Sequence, residues 1–80
     1  MTMPAERTRA FSWAGQLLIE LLDPDLNPDI PEKVREQARR VLRHYPAPLE
    51  IVSLAQRDER NPIGRPMLDS AEARNALNQA

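Results

Sequence analysis

A chain of 80 residues has room for one domain with a small core, and its 41% hydrophobic and 29% charged residues are ordinary for a folded protein. With 11 Lys and Arg against 12 Asp and Glu the net charge is −1, so no overall positive field attracts nucleic acid or an anionic membrane. The lack of Cys excludes disulfides, thiolate catalysis and zinc sites built on sulfur. No apolar run reaches the roughly 20 residues that span a bilayer, and the polar start has no signal-peptide core, so we expect a cytoplasmic protein without a membrane partner.

The first predicted element is a helix over residues 4–22. Its apolar stripe, which we expect to face the core, consists of Ala10, Ala14, Leu17, Leu18 and Leu21. Thr2 or Met3 is the expected cap, and Pro4 and Glu6 suit a first helical turn.

Three residues of this helix do not fit a simple core-facing stripe. Gly15 costs about 1 kcal/mol relative to Ala inside a helix, which indicates either a close approach by another backbone or a tolerated weak point. Trp13 and Ile19 project away from the stripe on opposite flanks, and we predict that they contact another protein, because aromatic anchors carry much of the energy of interfaces. The alternative is that Trp13 covers the edge of a small core.

The segment DPDLNPDI, residues 23–30, is a loop because Pro24 and Pro28 interrupt it. It is long enough to reverse the chain, so the first two helices are expected to form an antiparallel hairpin. Its three Asp residues do not make a calcium loop, since the required Gly is missing.

The second predicted helix covers residues 31–44 and is the most strongly amphipathic part of the chain. Its apolar side consists of Ile30, Val34, Ala38, Val41, Leu42 and Tyr45. Asp29 and Glu32 have the spacing of a capping box, Pro31 suits the first turn, and Pro46 disfavours helical dihedral angles at the residue before it.

A short third helix is predicted over residues 48–57, with Pro48 in its first turn. Residues 1–60 are then the helical domain, and residues 61–80 a flexible tail or a short C-terminal helix. Asp69 and Glu72 have capping-box spacing, but the apolar content that follows them is low, which favours a weakly helical or disordered tail.

Catalytic chemistry has little support in the sequence. His44 is the single histidine, and no nucleophile triad, glycine-rich phosphate loop or metal-binding motif is present. We therefore predict no catalytic residues, no metal, no cofactor and no small-molecule substrate, and hence a protein that is not an enzyme.

The second helix carries a stripe of positive charge formed by Arg35, Arg39 and Arg43, with Arg40 and His44 beside it. Arg suits phosphate recognition because its donors are forked, so the four arginines are possible nucleic-acid contacts. The alternative is a solvated charged face, and the helix that follows offers a poor surface for reading bases.

A resemblance can be stated on two motifs. The opening MTMPAERTRA, the apolar helix that follows it and the later VLRHYP, residues 41–46, resemble a family of short uncharacterised proteobacterial proteins that share an MTMPxERTRA start and an LxRHYP motif. The resemblance covers about the first half of the chain. It implies a bacterial, cytoplasmic protein, and it brings no activity, cofactor or catalytic residue.

The sequence thus predicts an all-α fold, a small three-helix domain made of an antiparallel hairpin and a short third helix, followed by the tail. The expected function is a non-enzymatic module that binds another protein or a second copy of itself. The alternative is a nucleic-acid-binding accessory protein that uses the arginine stripe.

Overall fold

A computed structural model describes residues 2–78. Within these residues the secondary structure consists of α-helices joined by loops, without β-strands. Its helices are α1 at Pro4–Leu21, α2 at Glu32–Arg43, α3 at Pro48–Glu59 and α4 at Ser70–Asn78. The all-α prediction is confirmed for these residues. A fourth helix joins the three that the sequence predicts, and α3 runs two residues further than expected.

The first turns of α1 and α3 are built alike. In α1 the Met3 N–H donates to a Glu6 carboxylate oxygen at 3.1 Å, and in α3 the Ala47 N–H donates to Glu50 at 2.9 Å. Each helix begins at a proline, whose missing N–H costs nothing in a first turn. A glutamate near the positive end of the helix dipole then completes the cap, in agreement with the sequence.

The predicted capping box of α2 is wrong. The residue that precedes the helix is Pro31, with φ −58° and ψ 143°, and no side chain caps it. Because Pro31 is extended, helical dihedral angles begin only at Glu32, which leaves Asp29 too far from the first free amides. The Glu32 carboxylate pairs instead with Arg39, about two turns along the helix.

The helices belong to two compact units. The terminal unit consists of residues 2–12 and 46–78, and the central unit consists of residues 13–45. The terminal unit therefore combines the start of α1 with α3 and α4. The central unit contains the rest of α1, the loop that follows it, and α2.

The core of the terminal unit lies between α3 and α4. Ile51, Val52 and Ala55 of α3 are buried, and so is Ala73 of α4. The small Ala73 and Ala55 side chains let the two helices pack closely, and contact between them is extensive. Packing of this kind compensates for the low apolar content that favours a weakly helical tail in the sequence.

The start of α4 is well capped. The Asp69 carboxylate accepts from the N–H groups of Ala71 at 2.9 Å and Glu72 at 3.2 Å, and Glu59 accepts from the Ser70 N–H at 3.0 Å. Carboxylates at a helix N-terminus satisfy free amides and oppose the positive end of the dipole. The cap predicted at Asp69 is confirmed, and together with packing on α3 it stabilises the helix at residues 70–78.

Thr8 of α1 is the buried polar residue at the centre of the terminal unit. Its hydroxyl donates to the Pro4 carbonyl at 2.8 Å and accepts from the Asp69 N–H at 2.8 Å. Both hydrogen-bonding capacities of the buried hydroxyl are therefore used, as burial of a polar group requires. These hydrogen bonds connect the first turns of α1 to Asp69, the residue that immediately precedes α4.

Two arginines of α1 form further contacts, on the surface, with the segment around the start of α4. Arg9 forms an ion pair with Glu72 at 2.9 Å, and Arg7 donates to the Met67 carbonyl at 2.7 Å. The hydrogen bond and the charge of Glu72 raise the pKa of Arg9. Exposed pairs of this kind stabilise a protein little, so their main effect is to fix the register of the two segments.

The loop between α3 and α4 is held by Asp58. Its carboxylate accepts from the N–H groups of Met67 at 2.6 Å and Leu68 at 2.9 Å. Gly64 turns the chain at φ +83°, a left-handed conformation that other residues rarely adopt. The backbone of this loop therefore has defined partners.

The buried face of α1 differs from the predicted stripe. Ala10, Ala14 and Leu17 are exposed, whereas Thr8 and Gly15 are buried and Leu18 is half-buried. Leu21 is half-buried as well, so of the three leucines in the predicted stripe only Leu17 is wrongly placed. Thr8 and Gly15 are buried for reasons that apolar periodicity does not contain: the Thr8 hydroxyl has hydrogen-bond partners, and the Tyr45 ring lies against Gly15.

Candidate functional site

The outer side of α1 in the central unit is apolar and exposed. Trp13 is 63% exposed and Leu17 is 57% exposed, and they lie one turn apart on the same side of the helix, with exposed Ala14 beside them. We call these three residues the α1 outer face. Scattered exposed apolar residues are ordinary, but a Trp and a Leu side by side form a patch.

The opposite side of α1 is occupied by an aromatic ring. A Cβ placed on Gly15 would lie 2.8 Å from Cε1 and 3.3 Å from Cδ1 of Tyr45. The sequence predicts a close approach at Gly15, and the group that approaches is this ring rather than a backbone. Since the Tyr45 ring fills that side, Trp13 and Leu17 point away from it.

Tyr45 is the single tyrosine, and burial raises its pKa, partly offset by a backbone hydrogen bond at Gly15. We expect tyrosinate absorbance to report a pKa above the ordinary value of about 10. A phenol with a raised pKa stabilises the fold fully below the pKa of the unfolded chain, and this contribution is lost as pH rises through the folded-state pKa. Alkaline titration followed at the tyrosinate band tests this, and a midpoint at or below that of a short Tyr peptide would contradict it.

Ile19 is also exposed, at 52%, but it does not belong to the same patch. Six residues separate it from Trp13, which places it about 120° away around the helix. The structure thus exposes both predicted interaction residues without bringing them onto one surface. The residue that accompanies Trp13 is Leu17, which the sequence assigns to the core.

The four predicted nucleic-acid contacts differ in their surroundings. The Arg35 guanidinium is half-buried, donates to the Asn27 carbonyl at 2.6 Å, and has its Nε buried without a hydrogen-bond partner. Arg39 pairs with Glu32. Arg40 and Arg43 are exposed and make no ion pair with any residue in 2–78. Two of the four arginines are therefore engaged within the chain, and two are open to a ligand.

The apolar side of α2 is covered only in part. Ala38 is buried and Leu42 is half-buried, as the amphipathic pattern predicts. Val34 is 37% exposed and Val41 is 51% exposed, although both belong to that pattern. Periodicity identifies the apolar side of a helix, but it does not say how much of that side a neighbour covers.

Groups suited to catalysis are sparse in the described chain. Within residues 2–78 no three His, Cys, Asp or Glu residues are grouped in a way that could hold a metal ion. A shallow depression on the surface of α3, lined by Leu49, Glu50, Ser53, Leu54 and Arg57, is formed by one helix alone. It is open to solvent and lacks the enclosing walls of a small-molecule site.

Comparisons with known proteins gave no match to a protein-family model, a curated protein or a solved structure. None of the helices in residues 2–78 is long and apolar enough to cross a membrane.

Proposed function

We propose that the protein is a non-enzymatic protein–protein interaction module that docks through the α1 outer face. The observation that supports this most directly is the exposure of Trp13 and Leu17, one turn apart on one side of α1. Trp is among the residues most enriched where binding energy concentrates, and burying a side chain of this size contributes about 1.5–3 kcal/mol. Two anchors spaced in this way suit insertion into an apolar groove of the partner.

The small core of the chain supports the same proposal. The apolar residues that are buried include Ala38, Ala55 and Ala73, whereas Trp13, Leu17 and other large apolar side chains are exposed. A chain of this size buries only about 60% of the surface of its unfolded form. A partner that covers the α1 outer face would add apolar burial that the chain does not provide for itself.

An antiparallel hairpin of α1 and α2 belongs to this proposal. It is supported by the contact between Gly15, in the middle of α1, and Tyr45, just after α2. A hydrogen bond also holds the loop after α1 against the end of that helix, since the Asn27 side chain donates to the Glu20 carbonyl at 3.0 Å. In such a hairpin α2 supports α1 from one side and leaves the α1 outer face open for docking.

Affinity capture with matched variants tests the proposal. When the immobilised chain is exposed to a bacterial lysate, we expect the wild type and Ile19→Ala to retain a partner protein. We expect Trp13→Ala and Leu17→Ala not to retain it. Ile19 is the matched control, because it lies on the same helix and is exposed to a similar degree. Loss of each anchor is expected to weaken binding about tenfold or more.

The captured protein must then bind the purified chain directly. Trp13 is the single tryptophan, so its emission reports the α1 outer face alone. We expect a blue shift when the purified partner is added to the wild type and none when it is added to Leu17→Asp. Binding without any change in Trp13 emission would place the contact elsewhere and contradict the proposal.

Nucleic acid is the second candidate ligand, in keeping with the exposure of Arg40 and Arg43. Against it, Arg35 and Arg39 already have partners in the chain. Binding of a random-sequence duplex that weakens steeply as salt is added would favour this candidate. A cytoplasmic location is part of either proposal, and the absence of Cys is compatible with it.

A further inference from the structure

Met67 lies in the loop between α3 and α4, and its backbone is held on both sides. Its N–H donates to Asp58 at 2.6 Å, and its carbonyl accepts from Nη1 of Arg7 at 2.7 Å. All three residues belong to the terminal unit. The Met67 side chain does not belong to the core of that unit, since the residue is 55% exposed. The loop therefore presents a methionine of fixed position to solvent.

The Met67 sulfur lies beside a cation. Nη1 of Arg7 donates to Sδ at 3.9 Å as well as to the carbonyl of the same methionine. Nη2 of Arg7 donates to the Thr2 carbonyl at 3.2 Å, so backbone carbonyls on two segments fix the half-buried guanidinium. A thioether is a weak acceptor, so the N–H group that points at the sulfur is poorly used in the unmodified protein.

We propose that Met67 is a site of reversible oxidation by hydrogen peroxide, and that Arg7 binds the oxygen of the resulting sulfoxide. The Sδ lone pair attacks one peroxide oxygen, an S–O bond forms and the O–O bond breaks. The proton of the transferred hydroxyl then moves to the departing hydroxide, which leaves as water. Sulfur is oxidised and peroxide is reduced, so no further reactant is needed.

The geometry suits a sulfoxide better than a thioether. The distance of 3.9 Å between Nη1 and Sδ is about 1 Å longer than a usual N–H···O hydrogen bond. An oxygen that is bonded to Sδ and directed at Arg7 lies in that gap, at hydrogen-bond distance from Nη1. Hydrogen bonds with a charged donor are roughly twice as strong as those between neutral groups.

Oxidation at this position strengthens a contact instead of disrupting a core. A sulfoxide in a core destabilises a protein because a polar group is buried without a partner, whereas Met67 is exposed and faces a donor. The new hydrogen bond holds the loop more firmly against the first turns of α1. The α1 outer face belongs to the central unit, so oxidation of Met67 and docking through Trp13 can be tested separately.

Thermal unfolding of the full chain before and after treatment with hydrogen peroxide tests the inference, with peptide mass spectrometry to locate the sulfoxide. We expect oxidation to raise the unfolding midpoint of the wild type by about 2–4 °C and not to raise that of Arg7→Ala. Met67→Leu keeps the other two methionines and is the control, so its midpoint should not rise either. Methionine sulfoxide reductases for both sulfoxide epimers should return the wild type to its original midpoint.

Met67→Gln tests the same contact without an oxidant. Its amide oxygen is a stronger acceptor than sulfur, so we expect Met67→Gln to unfold at a higher temperature than Met67→Leu. In an Arg7→Ala background this difference should disappear. Hydrogen exchange at the Leu68 amide, which donates to Asp58 at 2.9 Å, reports the loop locally and should slow when the wild type is oxidised.

Several outcomes would overturn the inference. A midpoint that falls or stays constant when Met67 is oxidised contradicts the new hydrogen bond, and an equal rise in Arg7→Ala contradicts the role of Arg7. Met67 that stays unmodified while Met3, which is 63% exposed, is oxidised would show that the Met67 sulfur is shielded. If Arg7→Ala does not fold, equal midpoints for Met67→Gln and Met67→Leu contradict the inference.

Discussion

Replacing Thr8 by Val is expected to lower the free energy of unfolding by about 1–3 kcal/mol, the usual cost of leaving a buried polar group without its partner. The side chain is fully buried, and its hydroxyl joins the Pro4 carbonyl to the Asp69 N–H, each at 2.8 Å. Val has nearly the same shape as Thr, so the loss comes from the hydrogen bonds rather than from a cavity. Urea unfolding followed by circular dichroism measures it.

The control for this prediction is Thr8→Ser, which keeps the hydroxyl and removes one methyl group. The decrease in the free energy of unfolding caused by Thr8→Ser should stay near the value of about 0.8 kcal/mol expected for one buried carbon. Hydrogen exchange at the Asp69 amide should accelerate in Thr8→Val and remain slow in Thr8→Ser. If Thr8→Val is as stable as the wild type, the hydroxyl does not hold the two segments together.

Replacing Gly15 by Ala is expected to destabilise the protein, although Ala favours helix. The new Cβ would lie 2.8 Å from Cε1 of Tyr45, and overpacking of this kind costs about 1–3 kcal/mol. The gain in helix propensity is about 1 kcal/mol, so the crowding decides the sign. Chemical unfolding of the variant gives the net change.

The same substitution should become stabilising once the ring is removed. In a Tyr45→Ala background we expect Gly15→Ala to raise the free energy of unfolding by about 1 kcal/mol, the propensity gain alone. A double-mutant cycle over the two positions isolates the contact from the separate effects of each change. Additive effects within experimental error would mean that the ring moves aside at no cost.

The positions of the helices could be predicted from the sequence, because periodicity and proline placement are local signals. The predicted first residues of α1 and α3, Pro4 and Pro48, are correct, because a Pro followed two residues later by a Glu marks each start. The start of α2 could be predicted to within one residue, but its cap could not, because the conformation of Pro31 decides whether Asp29 reaches the helix. The stability of α4 comes from packing on α3 and from Glu59, neither of which a local pattern contains.

The candidate site shows where sequence reasoning is weakest. The exposure of Trp13 agrees with its position off the stripe, but Leu17, on that stripe, is exposed as well. Apolar periodicity cannot distinguish a side covered by the chain from a side left open, as Val34 and Val41 also show. The four arginines look equivalent in sequence, and only the fold shows that Asn27 and Glu32 engage two of them.

The tie between Thr8 and Asp69 also determines the order in which the chain can fold during synthesis. The central unit is continuous in sequence and can close its contacts once residue 45 has been made. The terminal unit cannot close until Asp69 and Glu72 emerge, because their partners Thr8 and Arg9 lie some 60 residues earlier. The first turns of α1 therefore reach their final contacts only after some 60 further residues have been made.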